Sequence, residues 1–354
     1  KKHLTYNYNT KVIYMSLYIN SINEDEILSS YNFARNCDIV FSEIVSKEQY
    51  KYLKSDNISI IEEDERSIFY IKDIFELKEN DVIFTNSYFL EPLFEKLQNI
   101  DFKNIKIIST QTDHYVDKKI FSKTPNSVSF LYSTNVVYKN KFLKSIPLGL
   151  ANNYSTKNLQ KSHFKNFQYC DKKIKKIYVN FEINTNYFHR SKLKKLISDN
   201  DLFYIEDMKL DNFDYLNKLN QFQYVLTPWG NGIDSHRIWE TLYAGSYPLI
   251  PNHYNFQSVF NSDKFLFDRF ENLSDYELTE NFFNYSINNE LLNIHYWINR
   301  IRNEKNTSSA NKTKEISISL NECQNYYDQI KTIEYKRKKI NTYKRKIHNR
   351  LINN

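Results

Sequence analysis

Residues 224–251 (YVLTPWGNGIDSHRIWETLYAGSYPLIP) gather the residue types that bind anions and hydroxyls. The chain has only four glycines, and Gly230, Gly232 and Gly245 fall in this window. A chain so poor in glycine keeps it where a side chain is not tolerated, at positive φ or where a ligand nears the backbone. Gly230 and Gly232 bracket Asn231 in a loop after a strand, and Asp234 or Ser235 is placed to N-cap the helix that follows. A helix start offers free N–H groups and a positive dipole end to an anion. His236 and Arg237 sit in that first turn, where a cation opposes the dipole unless it faces an anion. Glu240 lies one turn on along the same face, and its carboxylate can accept two hydroxyl hydrogen bonds, as from a ribose. The plainer alternative is an ordinary βα turn with Arg237 and Glu240 as a surface pair at i, i+3. The glycine clustering favours the ligand site.

The elements that must position these residues read as α/β, with short β-rich runs alternating with amphipathic stretches. Strands are expected at 11–18, 38–41, 58–61, 81–85, 105–109, 128–132 and 145–148, and helices at 25–36, 46–53 and 91–97. The strand at 105–109 runs into Thr110-Gln111-Thr112-Asp113-His114, and polar residues past a strand's carboxyl end are where open α/β sheets hold ligands. Residues 152–165 read as a polar linker. A second unit follows, with strands at 175–181, 202–205, 223–226 and 247–250 and helices at 189–197, 215–221 and 235–243. Arg190 opens a basic helix near the loop after the first of these strands, and phosphate contact and a solvated face are both open to it. Gly245 is expected to end the 235–243 helix as a C-cap. Helices are also expected at 290–302 and 314–350, separated by residues 308–312. The units are therefore 1–155, 166–305 and a helical extension 306–354.

The run strand–Pro-x-Gly-x-Gly-Ile-Asp-x-His-Arg-x-Trp-Glu-x-Leu-x-x-Gly-x-x-Pro-Leu-Ile resembles the donor-site region of exostosin-like glycosyltransferases. Tyr178-Val179-Asn180-Phe181-Glu182-Ile183-Asn184-Thr185-Asn186 with Arg190, and Ser109 to Asp113, resemble further parts of that family. Trp229 departs from it, standing where the family usually carries a basic or small residue. The resemblance implies a GT-B-like fold, two Rossmann-like α/β domains facing a central cleft. It implies a nucleotide-sugar donor, with Arg237 at the diphosphate, Glu240 at the ribose, and Asn180, Asn184, Thr185 and Arg190 near the donor phosphates. The acceptor, a glycan or a lipid-linked sugar, then meets the first domain, and Asp113, or second His114, takes its hydroxyl proton. Transfer with inversion in surface polysaccharide or glycoconjugate synthesis is the expected activity. A non-catalytic nucleotide- or glycan-binding subunit of a surface-polymer complex is the alternative.

Composition narrows the classes. The glycines cannot spell a dinucleotide fingerprint or a phosphate loop. Cys37, Cys170 and Cys323 are too far apart for a zinc knuckle and read as reduced thiols. Asp199-Asn200-Asp201 has the spelling of a metal motif but falls between a helix and a strand, so no metal and no cofactor are expected. No signal-peptide core follows Lys1-Lys2-His3-Leu4, and no run of 18 apolar residues is present. The chain has 49 Lys and Arg against 42 Asp and Glu, yet the body is near neutral, because the excess sits in the last stretch. From Lys331 to Asn354 the only acid is Glu334, and Ile333, Ile340, Ile347 and Leu351 fall at helical spacing among lysines. This is the pattern of a cationic amphipathic helix on an anionic membrane, with packing against the body as the alternative. Nucleic acid is not an expected partner, and the expected location is cytoplasmic, at the inner membrane face.

Overall fold

The computed structural model describes residues 21–53, 56–170, 172–260, 266–267, 289–304 and 312–352, with backbone alone at 266–267 and 348–352. The strand expected at 11–18 lies outside this description, as do residues 261–265, 268–288 and 305–311.

The protein is mixed α/β. Helix α1 (Ser30–Arg35) leads into β1 (Ile39–Ser46), and α2 (Lys47–Lys51) into β2 (Ile58–Glu63), β3 (Ser67–Lys72), β4 (Ile74–Lys78) and β5 (Val82–Asn86). Then come α3 (Leu90–Leu97), β6 (Ile105–Thr110), α4 (Lys118–Phe121), β7 (Val128–Ser133) and β8 (Leu143–Ser145). Seven strands form one sheet in the order β2-β3-β1-β5-β6-β7-β8, parallel from β1 to β8 and antiparallel at the β2–β3–β1 edge. Strands β5 and β6 are buried at every position, as their unbroken β-rich runs require. Helix α3 buries Leu90, Leu93, Phe94 and Leu97, the i, i+3, i+4, i+7 face.

Residues 152–165 are less of a solvated linker than their polarity suggests. Helix α5 (Lys161–Phe164) interrupts them, and Leu159 and Phe164 are fully buried. Beyond lie β9 (Ile174–Val179), α6 (Tyr187–Ile197), β10 (Phe203–Ile205), α7 (Asn212–Gln221), β11 (Phe222–Leu226), α8 (His236–Tyr243), β12 (Tyr247–Pro251), α9 (Tyr254–Phe260) and β13 (Leu266–Phe267). Their five strands make an all-parallel sheet in the order β10-β9-β11-β12-β13. Asp199-Asn200-Asp201 falls in the turn between α6 and β10, as expected from its position.

The chain then returns to its first half. Helix α10 (Ile294–Asn303) ends on Lys106, whose ammonium donates to the carbonyls of Ile301, Arg302 and Glu304 at 2.9, 3.0 and 3.0 Å. The single helix expected over 314–350 is corrected at its start. Strand β14 (Thr313–Ser317) pairs antiparallel with β4, and helix α11 (Leu320–Ile352) begins only after it. Strand β4 alternates buried and exposed residues, so β14 finds an edge to complete. An apolar cluster joins Phe84, Ile108 and Tyr132 of the first half to Tyr178, Tyr224 and Trp239 of the second.

Candidate functional site

In the five-stranded sheet the chain passes from β9 outward to β10 and then crosses back to β11 on the other side of β9. Ligands of open α/β sheets sit at such a reversal, beyond the carboxyl ends of the two strands. Here those ends release residues 180–186 after β9 and 227–235 after β11. A cleft of about 1480 Å³ opens there, walled on the far side by Gln111, Thr112 and Asp113 beyond β6. Asn180, Asn184, Thr185, Arg190, Gly230, Asn231, Gly232, Asp234, Ser235, His236, Arg237 and Glu240 all line it, together with Asp113.

The two glycines of the loop serve different ends, and neither has positive φ. A Cβ at Gly232 would stand 2.7 Å from Oδ1 of Asn135, so the loop is pressed against the first half. That same Oδ1 accepts from the N–H groups of Ile233 (2.8 Å) and Asp234 (3.1 Å), while the Asn135 amide nitrogen donates to the Thr112 carbonyl at 3.2 Å. Among the described residues a Cβ at Gly230 would meet nothing nearer than Arg190 Nη2 and Thr185 Cγ2, both at 3.6 Å, so no contact with them demands glycine there. Gly245 has φ +71° immediately after the Ala244 C-cap, as a helix stop requires.

Asp234 and His236 fasten the seam. The buried Asp234 carboxylate accepts from the Leu148 N–H at 2.8 Å and from Trp239 Nε1 at 3.0 and 3.2 Å. Burial pushes its carboxyl up to about 7, against the pull of these donors. His236 Nδ1 donates to the Gly149 carbonyl at 2.8 Å. Ser235, not Asp234, holds the N-cap position of α8, with extended backbone and no side-chain cap bond.

The arginines form the charged wall. Arg190 is 6% exposed and donates through Nε to the Trp229 carbonyl (2.9 Å), Nη1 to Glu182 (2.8 Å) and Nη2 to Pro228 (3.3 Å). Its guanidinium therefore holds the β9 and β11 loops together. Burial, then the neighbouring charge of Arg237, pushes its pKa down to about 10. Arg237 lies over the Tyr215 ring, 5.2 Å from its centroid, and its buried Nη1 has no hydrogen-bond partner among the described residues. Neither arginine forms an ion pair within those residues. Glu240 is 3% exposed, and accepts from the Leu159 N–H at 3.0 Å and the Tyr215 hydroxyl at 3.2 Å. Each carboxylate oxygen keeps a second lone pair.

Asp113 is exposed on the opposite wall. Two residues on, Tyr115 crosses to the glycine loop and donates to the Asn231 carbonyl at 2.7 Å. His114 is absent from the lining. Its ring stands edge-on to Tyr88, with centroids 4.9 Å apart, and its Nε2 lies 3.7 Å from Glu334 of α11. Burial lowers its imidazole pKa. Asn184 Oδ1 accepts from Arg345 of α11 at 2.8 Å, and Asn180 donates weakly to the Met208 carbonyl at 3.4 Å.

Three contributors are not among the candidate site residues named from the sequence. Asn135 stands two residues past β7, much as Asp113 stands three past β6. Tyr215, under both Arg237 and Glu240, looks like any core aromatic on α7. Asn186 donates to the Gly230 carbonyl at 3.0 Å and ties the two loops. No protein-family model matches the chain, and no curated protein matches it.

Proposed function

We propose that the protein is a glycosyltransferase that moves a sugar from a nucleotide-sugar to a glycan or lipid-linked acceptor, in surface polysaccharide or glycoconjugate synthesis. The observation that carries this reading is the wall made by Arg190 and Arg237. Two guanidinium groups share one cleft, and among the described residues no carboxylate lies within ion-pair distance of either and one of them keeps a buried N–H without an acceptor. A diphosphate answers that arrangement, since charge-assisted bonds to Arg are strong and bidentate. The exostosin-like motif and the two sheets support a GT-B-like arrangement with the donor on the second.

In this reading the acceptor hydroxyl gives its proton to Asp113 and its oxygen attacks the anomeric carbon from the far wall. The bond from that carbon to the diphosphate oxygen breaks, and the nucleoside diphosphate leaves with the electron pair. Arg237, Arg190 and the start of α8 stabilise its growing charge. Glu240, braced by Tyr215, receives the ribose hydroxyls. Displacement from the opposite face inverts the anomeric centre.

A thermal-shift screen against UDP-, GDP-, CMP- and dTDP-sugars tests the proposal, because a ligand of the folded state raises the midpoint by mass action. One nucleotide class is expected to raise the midpoint and to be consumed when acceptor is supplied. Binding without consumption for every donor assigns the protein to the non-catalytic class, and no shift with any of them overturns the reading.

A further inference from the structure

The 33 residues of α11 span roughly 50 Å. The helix starts in the core of the first half, where Cys323, Tyr327 and Ile330 are buried. It then passes along the cleft rim. Glu334 accepts from the Tyr88 hydroxyl at 2.8 Å and faces His114, and eleven residues later Arg345 donates to Asn184 on the second half. At about 100° per residue these contacts define one face of the helix, turned toward the body.

Ile333, Ile340 and Ile347 recur every seven residues and lie roughly 100–140° around from Glu334. They are 61%, 54% and 41% exposed, and Tyr343 beside them is 66% exposed. Lys336, Lys339, Lys344 and Lys346 flank the stripe and are exposed, with no ion pair among the described residues. The one acid of this stretch, Glu334, is spent on the inner face. No helix among the described residues is long and apolar enough to cross a membrane.

We propose that the outer face of α11 is a docking surface for an anionic lipid bilayer, and that the helix so seated holds the cleft rim beside the membrane. The charge complementarity selects the occupant. A second copy of this chain would bring a like-charged stripe against this one, which repels, whereas an anionic headgroup layer pairs with the lysines and takes the isoleucines below it. A nucleic acid would use the lysines and leave the isoleucine stripe in water. Because the inner face touches Tyr88 and Asn184, the lipid surface passes within about one helix diameter, roughly 10 Å, of the rim. This inference does not rest on glycosyl transfer. It reads lipid binding alone and can fail or stand whatever the nucleotide screen returns.

The test is co-sedimentation of the full chain with vesicles of phosphatidylcholine alone or mixed 3:1 with phosphatidylglycerol. Binding to the mixed vesicles and not to the neutral ones is expected. The triple variant Ile333→Ser/Ile340→Ser/Ile347→Ser, at exposed positions, should retain its circular dichroism and bind at least tenfold more weakly. The quadruple variant Lys336→Gln/Lys339→Gln/Lys344→Gln/Lys346→Gln should do the same. Equal binding to neutral vesicles, or full binding by the triple variant, overturns the proposal, the second pointing to a polyanion such as nucleic acid. A dimer in light scattering that the triple variant turns into a monomer, without vesicle binding, assigns the stripe to a second copy and overturns it as well.

Discussion

The loop and first turn of α8 do two opposite things within a few residues. On the seam side, Gly232 lies against Asn135, the Asp234 carboxylate is filled by the Leu148 and Trp239 donors, and His236 is bonded to Gly149. On the wall side, Arg237 keeps a buried N–H without a partner among the described residues, beside a second arginine. The two sets look alike in sequence, both polar and adjacent to glycine. Their hydrogen-bond accounts separate them. A buried polar group left unpaired costs about 1–3 kcal/mol, so a fully bonded group is structural, and an orphaned cation in a cleft marks where a ligand supplies the missing acceptor.

That contrast is most directly broken at its charged end. Arg237→Ala should lower nucleotide-sugar turnover by on the order of 100-fold or more, the scale of losing one transition-state donor, while leaving the unfolding midpoint nearly unchanged. Steady-state kinetics beside a urea titration gives both readings. Unchanged turnover would remove Arg237 from the wall. Arg190→Ala should lower turnover and stability together, because its guanidinium also bonds three backbone carbonyls.

The seam is expected to answer in the opposite currency. Asp234→Ala leaves the Leu148 N–H and Trp239 Nε1–H buried without an acceptor, and should cost about 2–5 kcal/mol in urea unfolding. The carboxyl also predicts a pH dependence. Its folded pKa of about 7 lies above an unfolded value near 4, so the folded state holds the proton more tightly. The stability this adds is full below about pH 4 and is lost as the pH rises through 7. The wild-type urea midpoint should therefore carry a component that falls between pH 5 and 8, and Asp234→Asn should lack it. A rise over that range in the wild type that the variant abolishes would reverse the assignment.

Much of this was legible before the fold. Arg237, Glu240 and the glycine loop were marked by glycine scarcity and by a cation against the helix dipole, which are local signals. The strand expected at 223–226 and the helix expected at 235–243 follow from apolar patterning and stand at 222–226 and 236–243. What stayed hidden depends on distant partners. Asn135 gains its meaning from Gly232, 97 residues away, and Tyr215 from Arg237 on another helix. Strand β14 reads as helix because its lysine and glutamate suit one, and only the open edge of β4 makes it a strand. His114 lies beside Asp113 in sequence, yet its ring turns to Glu334, a partner on a helix more than 200 residues on.

Gly232→Ala probes the seam more gently. The added methyl must displace the Asn135 amide from the Ile233 and Asp234 N–H groups, at a cost of about 1–3 kcal/mol in urea unfolding. Gly230→Ala meets only ordinary contacts, so its stability should stay within about 0.5 kcal/mol, while nucleotide affinity falls if a ligand lies against that backbone. A destabilised Gly230→Ala and a neutral Gly232→Ala would exchange the two roles.

The smallest effect is expected at Arg345. It is a third arginine at the cleft rim, but its bond to Asn184 is exposed and neutral on one side. Exposed contacts of this kind contribute about 0–1 kcal/mol, and water replaces them when they are removed. Arg345→Ala should therefore change turnover by less than about threefold and stability by less than about 0.5 kcal/mol. The comparison with Arg237 is then decided by burial alone, since both are arginines beside the same cleft and only one has an N–H that water does not reach. If Arg345→Ala matched the loss at Arg237, the diphosphate would have to bridge from α8 to α11, and the C-terminal helix would belong to the donor wall as well as to the rim.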